Sequence, residues 1–230
     1  MPTAPTRKIP AIIHYCWFGG KPKPPLVQDC LASWREQMPD ATLIEWNEQT
    51  FETTTHCRFV REAAEAQKWA YVADYVRLWA LWHVGGLYCD ADVQMLKPLD
   101  RFLPYRAFTG HEADTLLLAA VMGAEPHHPW IGSLLAAYET MRFNPKRLVP
   151  NTQVVTELSR GMIERQHLGY TYLQDGVVIF PTTYFAGWDH QRMQPIVTED
   201  TYALHHFAGT WLSRDLTGRT LYQPEETRSC

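Results

Sequence analysis

"AIIHYCWFGGKPKPPLVQDCLASWREQMPDATLIEW", residues 11–46, decides the fold class. Its first seven residues are an apolar run rich in β-formers, stopped by Gly19-Gly20 and then by Pro22, Pro24 and Pro25, which reads as a buried strand ending in a loop. Apolar residues then fall at 26, 27, 30, 31, 34 and 38, the spacing of a helix, and "ATLIEW", 41–46, reads as a second strand. Strand, helix and strand in that order predict an α/β fold with parallel pairing.

The pattern continues outward. A helical zone runs from about Cys57 to His83, broken near Lys68 and stopped at Gly85-Gly86, and "GLYC" then makes a brief strand ending at Asp90. "RAFTGHE" and "TLLLAAVMGAE" read as strands, "PWIGSLLAAYETMRF" and "TQVVTELSRGMIE" as helices, and "GVVIFP" and "TYALHHF" return to strands. "HHP" at 127–129 reads as a helix-entry loop. With no internal repeat or linker, a single domain over 1–230 is expected, with 1–8 and 215–230 as flexible tails.

Composition narrows the function classes. The 230 residues are 46% hydrophobic and 20% charged, as in an ordinary globular protein. A net charge of −4 without a dense Lys/Arg stripe gives no footprint for nucleic acid, so no such partner is expected. The five cysteines are odd in number and lack C-x-x-C spacing, which fits a reducing compartment. "MPTAPTRKIP" lacks the apolar core of a signal peptide, and the longest apolar run, 116–124, is short of the roughly 20 residues that span a bilayer. The expected location is the cytoplasm, with peripheral contact at the inner membrane face left open. Aromatic residues reach 13%, with nine Trp; rings line sugar and nucleobase sites, but they also fill cores, and core is the commoner use.

Asp90 and Asp92 are the first candidates for chemistry. A bare D-x-D arises often by chance and can be an ordinary turn. Here a helix, a Gly-Gly stop and "LYC" deliver the first carboxylate at the C-terminal end of a strand, where open α/β sheets bind ligands. Two carboxylates one residue apart there can share a hard cation, Mg²⁺ or Mn²⁺, and this reading is preferred. In "WAYVADYVRLWALWHV", 69–84, Asp74 and Arg77 lie about 60° apart on a helix that is apolar nearly all round. They are either a structural i,i+3 pair or groups aimed into a site. In "ALHHFAGTWL", 203–212, His205 and His206 must face opposite sides of a strand, so at most one reaches a given ion, and a lone His is more often structural.

"IPAIIHYCWFGG", "YVADYVRLWALWHVGGLYCDADV", "FPTTYF" and "YALHHFAGTWL" occur in the order and spacing of a known family. From Ile9 to about Leu212 the chain resembles the DXD-containing glycosyltransferases of the sugar-binding-region group, glycosyltransferase family 32. That group includes bacterial capsular-polysaccharide transferases and yeast mannosyltransferases, with clostridial glucosylating toxins as distant relatives. The resemblance implies a GT-A fold: a Rossmann-like nucleotide-binding sheet flanked by helices. It also implies metal-dependent, retaining transfer of a hexose from a nucleotide-sugar, UDP-linked by expectation, to a glycan or lipid-linked saccharide, as in capsule, exopolysaccharide or lipopolysaccharide synthesis. By position, Trp17 matches the aromatic that stacks on uracil, and Asp74 and Arg77 match the pair that grips donor sugar hydroxyls, with Arg77 near the diphosphate. Tyr88 joins them in the donor site. Asp90 matches the ribose and sugar-side member of the motif and Asp92 the direct metal ligand. His206 stands where the toxins have a C-terminal acidic ligand, and Trp211 where their Trp meets the β-phosphate; an imidazole there favours Mn²⁺ over Mg²⁺.

Two rivals share some of these features. Haloacid-dehalogenase-type phosphatases use D-x-D-x-[TV] after an apolar strand, but Gln94 fills the last slot here and no later G-D-x-x-x-D pair occurs. A catalytically inactive GT-A-like carbohydrate-binding protein is the more serious alternative. Segments 108–126 and 181–195, including Glu112 and Asp114, read as ordinary loop surface, with walls of an acceptor site as the other reading.

Overall fold

The computed structural model describes residues 6–189 and 194–208. The opening stretch folds as expected into β1 (Ile12–Cys16), α1 (Pro25–Gln37) and β2 (Thr42–Trp46), with β1 parallel to β2. Pro25 sits at the first helical position of α1, where a missing N–H costs nothing. The apolar stripe then buries Val27, Cys30, Leu31 and Trp34.

The helical zone divides into α2 (Arg58–Glu65) and α3 (Trp69–His83), which is followed by β3 (Gly86–Cys89) and β4 (Val93–Met95). Between α3 and β3 the chain reverses at Gly85 and Gly86, with φ of 70° and 110°. A Cβ on Gly86 would meet the Ile12 carbonyl at 2.7 Å, so only glycine lets β3 lie this close to β1. Next come β5 (Ala107–Ala113), β6 (Leu116–Ala124), α4 (Pro129–Thr140), α5 (Asn151–Arg160), β7 (Ile163–His167), β8 (Tyr170–Leu173) and β9 (Val177–Phe180). Short β10 (Trp188–Asp189) pairs with β11 (Gln194–Pro195), and β12 (Ala203–His205) closes the described chain.

One mixed eight-stranded sheet has the order β2-β1-β3-β6-β5-β9-β8-β7. β1 is parallel to β3, β6 is antiparallel to both β3 and β5, and β5 is parallel to β9. The carboxyl ends of β1, β2, β3, β5 and β9 therefore share one edge. Side chains alternate between two cores. Cys16 and Tyr88 pack with α2 to α5, whereas Tyr15, Leu87 and Cys89 pack with α1 and the Leu99–Phe102 turn. Val72, Val76, Leu78 and Leu81 of α3 are all fully buried; each such side chain contributes about 1.5–3 kcal/mol. That burial fixes the helix from which Asp74 and Arg77 project.

Three expectations need correction. The helix read over 152–164 ends at Arg160, because Gly161 caps it and Ile163 to His167 pair with β8 as the outer strand of the sheet. Segment 108–126, also read as loop surface near strand ends, is such a surface only at its turns, because the strands expected at 106–112 and 115–125 form β5 and β6 and fill most of it. Residues 6–8, expected in a tail, are tied down: Arg7 pairs with Asp100 at 2.8 Å and the Lys8 N–H donates to the Leu103 carbonyl at 2.9 Å. The expected tail 215–230 lies outside the described residues.

Candidate active site

Asp90 leaves β3 at the shared carboxyl edge, its N–H donating to the Ala120 carbonyl of β6 at 2.8 Å. The Val93 N–H returns to the Asp90 carbonyl at 2.9 Å, a tight turn that sets Asp92 beside Asp90. α1 braces the outgoing arm: Trp34 Nε1 donates to the Val93 carbonyl at 2.7 Å, and the Met95 N–H donates to Ser33 Oγ at 3.0 Å. β12 then pairs antiparallel to β4 with His205 opposite Val93, which returns the far end of the chain to the D-x-D turn.

This pairing settles which histidine reaches the aspartates. His205 Nε2 lies 3.4 Å from Asp92 Oδ1, and Asp92 Oδ2 accepts the Ala208 N–H at 2.9 Å. His206, the expected ligand position, points the other way, its Nε2 3.2 Å from Gln94 Oε1. The pleat separates consecutive side chains, and the register with β4 gives the inner face to His205. Ligand atoms of Asp90, Asp92 and His205 all lie within 4.8 Å of one another, the one such group among the described residues. His205 Nδ1 is buried with no hydrogen-bond partner among the described residues. Two carboxylates and an imidazole with an unused nitrogen fit a divalent cation of the Mn²⁺ or Mg²⁺ type. Burial opposes ionisation of Asp92, but the His205 contact and the Ala208 N–H outweigh it and hold the carboxyl below its usual range. Burial likewise lowers His205, and Asp92, Asp90 and Glu112 more than reverse that, so its pKa is raised.

Beneath the turn lies the buried pair from α3. Asp74 is 7% exposed and Arg77 5%. Arg77 Nη2 donates to Asp74 Oδ1 at 2.9 Å and lies 3.3 Å from Asp90 Oδ1, while Nη1 donates to the Ala119 carbonyl at 2.7 Å. The guanidinium sits 4.6 Å from the Tyr88 ring centre, and Tyr88 OH donates to Asp90 Oδ1 at 2.9 Å. Burial pushes the Asp74 carboxyl up to about 7, against the pull of Arg77 and with the push of Asp90. Burial also works against the Arg77 charge, but Asp90, Tyr88 and Asp74 hold its pKa above the ordinary value. The pair is thus no surface i,i+3 bridge. Its desolvation is costly, and it fixes the orientation of Asp90.

Asn151, at the start of α5, was not singled out by the sequence. Its Nδ2 donates to Asp74 Oδ1 at 3.0 Å and its Oδ1 accepts the Tyr138 hydroxyl at 3.1 Å. An Asn following "VP" carries only a helix-start signal, and no local pattern announces a buried partner 77 residues away. Trp17 follows β1 on the same edge: its N–H donates to the Trp46 carbonyl at 2.9 Å and its indole N–H to the Lys21 carbonyl at 2.7 Å. That contact fixes a half-buried ring, with Lys23 Nζ 5.9 Å from its centre. Trp211 lies outside the described residues.

Residues 24–109, from just before α1 into β5, match the family described as "glycosyltransferase sugar-binding region containing DXD motif". The chain is 26% identical over 153 residues to mannosyl phosphorylinositol ceramide synthase CSH1 of Saccharomyces cerevisiae, covering 61% of this chain and 38% of that protein. It is 35% identical over 81 residues to glucan organizing enzyme 1 of Cryptococcus neoformans var. grubii, covering 31% of this chain and 22% of that one. The chain therefore spans well under half the length of these curated relatives. Among solved structures, PaToxG glycosyltransferase superposes with a TM-score of 0.50 at 16% identity, over 66% of this chain and 69% of that one. At that identity the likeness concerns the fold, which is the GT-A arrangement the motifs implied. The matched segment, which contains Asp74, Arg77, Asp90 and Asp92, is similar to the sugar-binding region of DXD glycosyltransferases.

Proposed function

We propose that this chain transfers a hexose from a nucleotide-sugar to a saccharide acceptor, using a divalent cation held by Asp90, Asp92 and His205. The convergence of those three side chains above the buried Asp74–Arg77 pair, at the carboxyl edge of the sheet, carries the reading. Held by these three side chains, Mn²⁺ or Mg²⁺ would supply Lewis-acid neutralisation of the diphosphate leaving group.

The chain's own residues supply the rest. Trp17 offers a fixed ring for the nucleobase, uracil in the preferred reading. Arg77 and Tyr88 hold Asp90 in place from below, and Asp74 with Arg77 forms the floor on which donor sugar hydroxyls rest. Groups already bonded to one another do not reorganise during the reaction, which is how a preorganised site lowers a barrier. Among the described residues no carboxylate stands out as a covalent nucleophile, so retention by attack from the leaving-group side is the preferred stereochemical course. The name of one relative, a mannosyl phosphorylinositol ceramide synthase, adds mannose and a lipid-linked acceptor to the candidates and supports testing GDP-sugars beside UDP-sugars. Bacterial capsule, exopolysaccharide or lipopolysaccharide synthesis, with the protein in the cytoplasm and peripheral at the membrane, remains our proposed setting. Among the described residues no helix is long and apolar enough to cross a membrane.

Calorimetry with a panel of UDP- and GDP-sugars, with and without Mn²⁺, tests this. Metal-dependent binding of at least one donor is expected, and absence of binding across the panel sinks the proposal.

A further inference from the structure

The carboxyl edge holds a second feature beyond the aspartate cluster. Between the tip of β5, the end of β9 and the β7–β8 hairpin lies a cleft of about 410 Å³. His111, Asp114, Gln166, His167, Leu168 and Tyr170 form most of its wall. That volume lies within the roughly 300–1,000 Å³ of small-molecule sites. β3, β5 and β9 run in the same direction, so the cleft opens on the same edge as Asp90; its near wall on β5 is two strands from β3, about 10 Å, and the β7–β8 turn four to five strands, about 20 Å. Glu112, which follows His111 on β5, has its carboxyl pKa raised by burial, with His205 pulling it down and Asp90 pushing it up, so the end of β5 that supplies His111 to the cleft also lies within electrostatic reach of the cluster. Irregular pairing on either side of His111 re-aims the end of β5, as bulges beside binding sites do.

The hairpin tip is the informative part. Leu168 and Gly169 alone connect β7 to β8, with φ of 49° and 80°. A two-residue turn with both centres left-handed ordinarily carries Asn-Gly, and a bulky residue there is strained. Leu168 is also 81% exposed, so no packing within the described chain accounts for it. A local choice that costs stability and leaves a large apolar side chain at the mouth of a cleft points to a ligand contact. Inside, His111 Nε2 and Gln166 Nε2 both meet Thr171 Oγ1 at 3.1 Å, which stiffens the wall. The described lining contains the carboxylate of Asp114 and no Lys or Arg.

We infer that this cleft binds the acceptor, a neutral hydroxyl-bearing saccharide, with Leu168 against its C–H face and Asp114 and His167 on its hydroxyls. An anionic or phosphorylated acceptor face fits poorly beside Asp114. The inference rests on the glycosyltransferase reading, and its test separates the two. Saturation-transfer NMR with methyl glucoside, methyl galactoside, methyl mannoside, lactose and maltose reads acceptor binding directly. Calorimetry with UDP and Mn²⁺ reads the donor site. Asp114, His167 and Leu168 are all exposed, so Asp114→Ala and Leu168→Asn are expected to fold. Leu168→Asn should raise the melting temperature, by relieving the strained turn, and yet weaken saccharide binding about tenfold. Asp114→Ala should weaken binding to a similar degree, while UDP–Mn²⁺ affinity stays at the wild-type value in both variants. Saccharide signals unchanged in both variants, or absent from the wild type across the panel, overturn the inference. Failure of UDP–Mn²⁺ binding with saccharide binding intact overturns only the donor reading.

Discussion

The aspartate cluster and the β7–β8 hairpin sit on one sheet and are built on opposite principles. Asp90 is held by Arg77, Tyr88 and the Ala120 carbonyl, and the Asp74 that holds Arg77 is held in turn by Asn151, which itself accepts the Tyr138 hydroxyl. All five residues of β7 are exposed, and the hairpin is fixed by its own pairing with β8. A site that must place charge to within a fraction of an ångström needs the first construction. A surface that accommodates a varied partner tolerates the second.

Breaking the cluster from within should have the largest effect. Arg77→Ala leaves Asp74 buried beside Asp90 without its counter-charge, and a loss of about 3–5 kcal/mol is expected in urea unfolding. Replacing both members, Asp74→Leu with Arg77→Met, should recover part of that stability, because apolar side chains remove the uncompensated charge while Asn151 Nδ2 and the Ala119 carbonyl lose their partners. Activity should not return. A double variant that is stable and active would show that the pair serves only the fold.

Asp92→Asn separates chemistry from folding. Asn can still accept the Ala208 N–H, and the contact with His205 is partly solvated, so stability should change by no more than about 1 kcal/mol. Metal-dependent turnover of the donor should fall at least about 100-fold, since loss of a cation ligand removes several kcal/mol of charge stabilisation. Turnover within a few-fold of wild type would move the cation away from Asp92.

These residues also show what was legible in the sequence. The proline and glycine punctuation of residues 11–46 marks the β-α-β unit because those residues act locally on φ and ψ. The Gly85-Gly86 stop places Asp90 at a strand end for the same reason. The choice between His205 and His206 was not local. Alternation says that the two differ, but the phase is set by pairing with Val93 more than a hundred residues away. Asn151 was hidden likewise, since a tertiary hydrogen bond leaves no periodic trace. The overshoot of the helix beyond Arg160 arose because Met162 and Ile163 continue an apolar period that Gly161 and the edge pairing override.

A pH titration probes the cluster side of the sheet in another way. His14 in β1 is fully buried between the Gly85 carbonyl, 2.8 Å from Nε2, and the Trp46 indole N–H, which donates to Nδ1 at 3.2 Å. Burial lowers its pKa more than the Gly85 contact raises it, so the folded protein holds this ring neutral while the unfolded chain protonates near 6.5. Its contribution is therefore complete above about pH 6.5 and is lost as pH falls below that value, at up to about 1.4 kcal/mol per pH unit. His205, with a raised pKa, acts in the opposite sense. Comparing urea midpoints at pH 7.5 and 5.5 for wild type and His14→Gln isolates the first term; the variant should show the smaller loss on acidification. An equal loss in both would place the acid sensitivity elsewhere.

The smallest effect is expected on the hairpin. Ile163 opens β7, pairs across to Leu173 and is 44% exposed. Ile163→Thr keeps the β-branch that suits a strand and removes apolar surface already facing solvent, so unfolding free energy should change by less than about 0.5 kcal/mol. A cost near 2 kcal/mol would mean that this face is covered by chain outside the described residues or by a second molecule. The hairpin would then be the edge of a larger buried layer, and the contrast between a rigid donor side and an adaptable acceptor side would fail at its weaker end.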